Sequence, residues 1–530
     1  MDIKMFEQLD LSDLAGQVLC YDIYDRDDPK EVEKILSEIH PGALYLDNMS
    51  YEKIKMYTDM ANKYTKIPVA IITDVEFGPG ENMSGLPVLP NVMAWSACDD
   101  EKLIEKAAEI TAKICRLHGI SWTLSPVVDI NINHNNPLVN IRSASDSPEQ
   151  VKKIMGAFLR GIRKNGYMAA TLKHFPGDGV DDRNQHFCVT VNSLEMPLWR
   201  STFGNVYKYM IAQGADSVMC AHIGLPSYAN EGDELGAVSA VLSKPLMTNL
   251  LKGELGFEGC IISDAMSMVG SAARVDLDKL AVTFLNCGGD MVLFNEPEDH
   301  SLIMNAVKSG VLSIERLRDA AIRVIGVKEK ARLFENQDDV LSEITETKEE
   351  LIKQLEILGD EIAEKSIKFV RNTENLLPLK AQPNSKFLCV EIGDDDLNAT
   401  VLYDELRRRG HTVEICNNKG HKVISQIMND YDYILINCFF IGKHGGTMRS
   451  GWAHMAPLWR GYILKHPHVI FTSFGDPYKL YDYPYMKTYI NTFSYTKSSM
   501  RAFVRVLLGE IEMTAKNPIS LKGFFERETL

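Results

Sequence analysis

Up to about Asn295 the chain repeats one pattern, a short and nearly continuous apolar run that ends on polar or glycine residues. The runs are GQVLCYDI, GALYLD, PVAIITD, TLSPVVDI, AATLKHF, SVMCAHI, GCIISD and GGDMVLFN. Between most of them the apolar residues recur at three and four, as in EKLIEKAAEITAKICRLHG and VKKIMGAFLRGIRKNG, which is the period of a helix with one buried face. Strands covered on both faces read as continuous apolar runs, so eight of them separated mainly by helices predict a (β/α)8 TIM-like barrel. A doubly wound open sheet also satisfies the alternation.

Past residue 330 the pattern changes to a charged helical run, FENQDDVLSEITETKEELIKQLEILGDEIAEKSIKF, with opposite charges one turn apart such as Glu349 and Lys353. Beyond it KFLCVEIG, HTVEICN, YDYILINCFF, HVIFTSFG and KTYINTF read as strands, with ATVLYDELRRRG and SSMRAFVRVLLGE as intervening helices. The predicted organisation is a catalytic barrel over 1–330, a helical linker over 331–374 and an α/β sandwich over 375–530.

Composition narrows the function. The 530 residues are 45% hydrophobic and 24% charged with a formal net charge of -15, which suits a globular protein and offers no basic stripe for nucleic acid. The first twenty residues carry acids where a signal peptide needs an apolar core, and no run reaches membrane-spanning length. A cytoplasmic protein without a membrane partner is expected. Its ten cysteines form no CxxC pair, so they are read as thiols packed in apolar runs rather than as ligands or disulfides.

In such barrels chemistry gathers where strands end at the C-terminal face, and Asp74, Asp129, Lys173, His174, His222 and Asp264 fall there. The segment KHFPGDGVDDRNQH, Lys173 to His186, is the densest. Its Pro176, Gly177 and Gly179 force a loop that lets the backbone approach a ligand. Lys173 and His174 can donate to the oxygens of a sugar, and His186 could transfer a proton, because the unperturbed pKa of an imidazole lies near neutrality. No metal is expected, because His174 and His186 lack a third ligand at a recognisable spacing and Lys173 would repel a cation. Asp264, directly after IIS, has its carboxylate at the barrel mouth, where it can serve as a nucleophile or only cap a helix. In the loop SPVVDININHNNPLVNIRSASDSPEQV, Arg142 offers a planar fork of donors, and Asp146 can orient it or cap the next helix. Asp74 suits paired sugar hydroxyls. In the second domain GKHGGTMRSGW, 442–452, with Lys443, His444 and Arg449, is either a loop that closes over sugar or ordinary surface.

These segments together resemble glycoside hydrolase family 3, in particular its β-N-acetylhexosaminidase branch. The resemblance rests on ITDVEFGPG with LPVLPNVMA, SPVVDIN with NPLVNIRS, LKHFPGDG with QH, and FEGCIISDAMSM, in that order. It implies a retaining exo-glycoside hydrolase that releases terminal β-linked N-acetylhexosamine, GlcNAc first, without a cofactor. Asp264 would form a covalent glycosyl-enzyme and His186 would act as acid/base, an imidazole in place of the usual carboxyl. Asp74, Arg142, Lys173 and His174 match the positions that grip the sugar.

Three departures qualify that implication. Asn184 stands where the branch has an Asp two residues before the catalytic His; it can orient the ring but supplies no charge, which leaves Asp181 or Asp182 as substitutes. Asp178 replaces a histidine and adds negative charge near His186. FGPGENM lacks the family's arginine. The alternatives are a β-N-acetylglucosaminide phosphorylase, since phosphate approaches an imidazole site against less repulsion, a β-glucosidase taking its acid from the second domain, and a low-activity sugar-binding protein.

Overall fold

The computed structural model describes residues 8–393, 399–416, 421–440 and 448–528. Seven of the barrel strands fall on the apolar runs, and the fourth overlaps its run, TLSPVVDI, only at Thr123. The strands are β1 (Leu19–Tyr24), β2 (Ala43–Asp47), β3 (Ala70–Thr73), β4 (Trp122–Thr123), β5 (Ala169–Phe175), β7 (Ser217–Cys220), β9 (Cys260–Ser263) and β10 (Val292–Leu293). Two short strands, β6 (Thr190–Val191) and β8 (Ile223–Gly224), pair with each other apart from the barrel.

The barrel sheet is wholly parallel, in the order β10-β1-β2-β3-β4-β5-β7-β9. Its two ends meet: Ser263 donates its N–H to Met291 O at 3.0 Å, and Met291 N–H to Ile261 O at 3.0 Å. The expected barrel is therefore present as a nearly closed ring, not as an open doubly wound sheet.

Alternation along each strand decides what fills the ring. Cys20, Ala43, Ala70, Ile72, Trp122, Ala169, Met219, Cys260 and Ile262 form one buried cluster, joined by Val324 and Val327 of the helix Ile314–Lys330. Trp122 is the large ring among small neighbours, and its indole N–H donates to Thr171 Oγ1 at 2.8 Å, so its polar atom is satisfied inside the barrel. Asp290, fully buried just before β10, accepts the Ile261 N–H at 2.8 Å and pairs with Lys252 at 3.1 Å and Arg316 at 2.5 Å. A carboxylate placed there ties a strand edge to two basic side chains across the closing seam.

Two compact units divide the chain: Met1–Val88, Ile104–Ile130 and Val151–Leu355 make one, and Leu89–Leu103, Asn131–Gln150 and Glu356–Leu530 the other. The second holds a six-stranded sheet of β11 (Lys368–Asn372), β12 (Lys386–Gly393), β13 (Thr412–Ile415), β14 (Tyr433–Phe440), β15 (Val469–Gly475) and β16 (Thr488–Asn491), in the order β11-β16-β15-β14-β12-β13. Within it β11 runs antiparallel to its neighbour and the other pairs are parallel. Period-two alternation covers both faces: Leu388, Val390 and Ile392 of β12 enter one core, and Phe387 and Cys389 the other.

Residues 331–374 contain the helices Gln337–Ser342 and Lys348–Glu364, and then β11. The sequence pattern does not display β11, because KFVRN is an edge strand with four of its five residues only half-buried and mixed in polarity. All ten cysteines are free thiols, seven of them buried. No helix among the described residues is long and apolar enough to cross a membrane.

Candidate active site

Asp264 follows β9 directly, and its backbone N–H donates to Cys220 O at 2.8 Å, which fixes the strand end against β7. Its Oδ1 accepts the N–H of Ala265 at 2.8 Å. Burial pushes the carboxyl up, but His222, His174, the Ala265 amide and His186 together hold it below the ordinary carboxylate value. Burial also lowers His222, against the opposing pull of Asp264 and of the Ala265 carbonyl. An ionised carboxylate in a nearly dry place is the result. Asp264 therefore interacts electrostatically with His222, His174 and His186.

His222 does a different job. Its Nε2 lies 2.9 Å from Ala265 O, which as a carbonyl only accepts, so Nε2 carries the proton. Its Nδ1 lies 2.9 Å from Ser271 Oγ and accepts from that hydroxyl. The ring thereby fixes the turn on which Asp264 sits.

The loop after β5 is held from below by Asp129, which is fully buried. One carboxylate oxygen accepts the N–H of Asp178 at 2.7 Å and of His174 at 3.2 Å, and the other lies 2.6 Å from His174 Nδ1. Because a carboxylate only accepts, His174 donates from Nδ1. The Pro176 carbonyl takes the Trp199 indole N–H at 2.9 Å, and the Gly177 carbonyl takes Asn192 Nδ2 at 3.0 Å. Gly177 has φ 120°, and a Cβ there would lie 2.1 Å from the Phe203 ring, so any side chain would collide in this turn.

Lys173, 5% exposed at its side chain, lies between Asp74 Oδ1 at 2.5 Å and Glu76 Oε1 at 2.7 Å. Tyr45 donates its hydroxyl to Asp74 Oδ2 at 2.8 Å. The structure thus joins Asp74 and Lys173, which the sequence placed separately at strand ends, and adds Glu76 and Tyr45 to them. The ITDVE segment contains Glu76 close to Asp74, but Tyr45 reads as one more apolar position of β2 and carries no signal.

Asn184 is buried, and its Oδ1 accepts the backbone N–H of His186 at 2.9 Å. It therefore shapes the chain at His186 through the backbone. Asp181, one suggested substitute for the missing carboxylate, is engaged elsewhere: it accepts the Arg183 Nε–H at 2.9 Å and the Val191 N–H at 2.8 Å. Burial raises its carboxyl, but the Arg183 contacts and the Val191 amide outweigh this and lower it.

Arg142 belongs to the other compact unit, on a short 3-10 turn, where its Nη1 donates to Leu138 O at 3.4 Å. Asp146 does more than stand before the helix Pro148–Ile162; it accepts the Ser520 N–H at 2.9 Å and pairs with Arg527 at 2.5 Å. Of the suggested closing loop, Lys443 and His444 lie outside the described residues. Arg449 pairs with Asp482 at 2.5 Å and covers the Tyr481 ring at 4.0 Å. Among the described residues no group of acids, histidines and cysteines is arranged to hold a metal ion.

Comparison with known proteins agrees with this geometry. Residues 7–327 match the family described as glycosyl hydrolase family 3 N terminal domain. A beta-N-acetylglucosaminidase/beta-glucosidase of Cellulomonas fimi is 26% identical over 533 residues, 95% of this chain and 92% of that protein. A beta-hexosaminidase of Stenotrophomonas maltophilia is 32% identical over 240 residues, 45% of this chain and 69% of that protein. Among solved structures, the beta-glucoside phosphorylase BglX bound to 2FGlc has a TM-score of 0.88 at 29% identity, covering 98% of this chain and 95% of its own. A family 3 beta-N-acetylglucosaminidase from Paenibacillus shares the fold, with a TM-score of 0.84 at 22% identity over 97% and 99% of the two chains. The chain belongs to glycosyl hydrolase family 3 and is a glycosidase.

Proposed function

We propose that the chain is a retaining exo-acting enzyme that removes a terminal β-linked N-acetylhexosamine, GlcNAc first, with Asp264 as nucleophile and His186 as acid/base. The observation that carries the reading is the ionised, enclosed carboxylate of Asp264 within the field of His186 and His174. In the first step an Asp264 oxygen bonds to the anomeric carbon as the glycosidic C–O bond breaks, and the His186 proton goes to the departing oxygen. In the second, water gives its proton to His186 and attacks the anomeric carbon, and the ester bond to Asp264 breaks. Asp74, Lys173 and His174 would hold the ring hydroxyls meanwhile. An imidazole suits the exchange because it both gives and takes a proton near neutral pH.

A second reading has its own support. The likeness to a beta-glucoside phosphorylase extends over nearly both chains, and an imidazole that has given up its proton is neutral, so it does not repel an incoming phosphate as a carboxylate would. Phosphate would then replace water in the second step and leave as sugar 1-phosphate. Turnover of aryl β-GlcNAc and aryl β-glucose, each with and without phosphate, tests both readings. Free GlcNAc in either buffer supports the first, and sugar 1-phosphate the second. No turnover of any aryl β-glycoside would overturn both. The buried thiols fit the reducing cytoplasm in which we place the enzyme.

A further inference from the structure

The segment FGPGENM, where the family arginine is missing, supplies two side chains to the sugar clamp. Glu81 Oε2 accepts the N–H of Glu76 at 2.6 Å, and Asn82 Nδ2 donates to the Asp74 carbonyl at 3.3 Å. Two carboxylates, Asp74 and Glu76, hold the ammonium of Lys173, and a third carboxyl group, Glu81, lies beside them on the Glu76 backbone. That ammonium contacts the first two at 2.5 and 2.7 Å, while Glu81 stands half-buried behind them and faces the backbone. If all three were ionised the group would carry two uncompensated negative charges beside a site meant for neutral sugar.

We propose that Glu81 is a positioning residue that works as a neutral carboxylic acid, leaving Lys173 free to hold Asp74 and Glu76 in the arrangement that grips the sugar. This rests on the sugar-binding role given to Asp74 and Lys173 above. Enclosure by the protein, then the charges of Glu76 and Asp74, push the Glu81 carboxyl well above its ordinary value, against the opposing pull of Lys173 and the Glu76 amide. The other groups facing the cluster point the same way. Asp47 at the end of β2 is raised by burial and then by Asp74, and Tyr45 is raised by burial and then by Asp74. Neither is a second cation. Loss of the Glu81 proton at high pH would add a negative charge that competes for Lys173 and loosens Asp74.

The test compares Glu81→Gln and Glu81→Ala with the parent enzyme. Glu81→Ala is expected to raise KM about tenfold with kcat little changed, because a buried amide loses its acceptor and the clamp relaxes. Glu81→Gln, which imitates the neutral acid, is expected to restore KM at neutral pH and to abolish the alkaline rise in KM, about tenfold per pH unit, that the parent shows once Glu81 ionises. An infrared band from a protonated carboxyl at neutral pH is expected in the parent and absent from Glu81→Gln. A Glu81→Gln enzyme with the parent's alkaline rise, or a parent without the band, overturns the proposal. Binding of free GlcNAc and glucose, followed by calorimetry across the same pH range, gives the same comparison without turnover. Failure of the catalytic reading is thereby distinguished from failure of this one.

Discussion

At the scale of single residues, Asn184 gives the sharpest expectation. Its Oδ1 accepts the His186 N–H, and an aspartate at 184 keeps that acceptor while adding a negative charge near the imidazole. An opposite charge favours the protonated ring, so Asn184→Asp is expected to raise the His186 pKa and to move the alkaline limb of kcat/KM to higher pH. A profile that does not move would separate residue 184 from the proton transfer. For the nucleophile, Asp264→Asn is expected to lower kcat by about 10³-fold or more, since an amide cannot form the ester. His186→Ala should cost about 10²- to 10⁴-fold for alkyl glycosides and much less for aryl glycosides whose phenol leaves without a proton. Equal losses with both leaving groups would argue that His186 serves structure alone.

At the scale of elements, legibility followed burial. Each barrel strand is covered on both faces, so its run is apolar throughout and conspicuous in the sequence. The edge strand β11 has one covered position in five, and its polarity resembles that of the helical run before it. The same physics governed the site. Asp74, Lys173, His174 and Asp264 stand out as candidates because each is a polar or charged group at the end of an apolar run, whereas no spacing announces that Tyr45 lies against Asp74 or Glu81 against the Glu76 amide. The helix Ile314–Lys330 hides another such group. Lys328 is fully buried, and its Nζ donates to Gln17 Oε1 at 2.7 Å. Burial lowers its pKa to about 7. Between that value and the ordinary lysine value the unfolded chain binds a proton that the folded chain does not, so stability rises with pH across this window and the penalty is fully present below it. Each tenfold loss of proton affinity on folding is worth about 1.4 kcal/mol. Lys328→Met is therefore expected to stabilise the protein at pH 6 to 7 and to flatten its stability between about pH 7 and 10; denaturant midpoints across that range measure both. At the closing seam, Asp290→Ala strands Lys252, Arg316 and the Ile261 amide, and is expected to cost about 3–5 kcal/mol.

At the scale of the whole molecule, the net charge of -15 separates water from phosphate as the second-step nucleophile. A neutral sugar feels little of the protein's long-range field, but phosphate at neutral pH is an anion and is driven away by it. The lysine of the sugar clamp does not reverse this locally, because Lys173 is already matched by Asp74 and Glu76. Added salt shortens the reach of the field from about 10 Å at 0.1 M to about 3 Å at 1 M. If phosphate is the natural acceptor, kcat/KM for phosphate is expected to rise several-fold with sodium chloride over that range, while hydrolysis of an uncharged aryl glycoside stays within about twofold. Measuring sugar 1-phosphate and free sugar side by side reads both. A phosphate rate that falls as salt rises would mean that a local positive field at the barrel mouth outweighs the charge of the molecule as a whole.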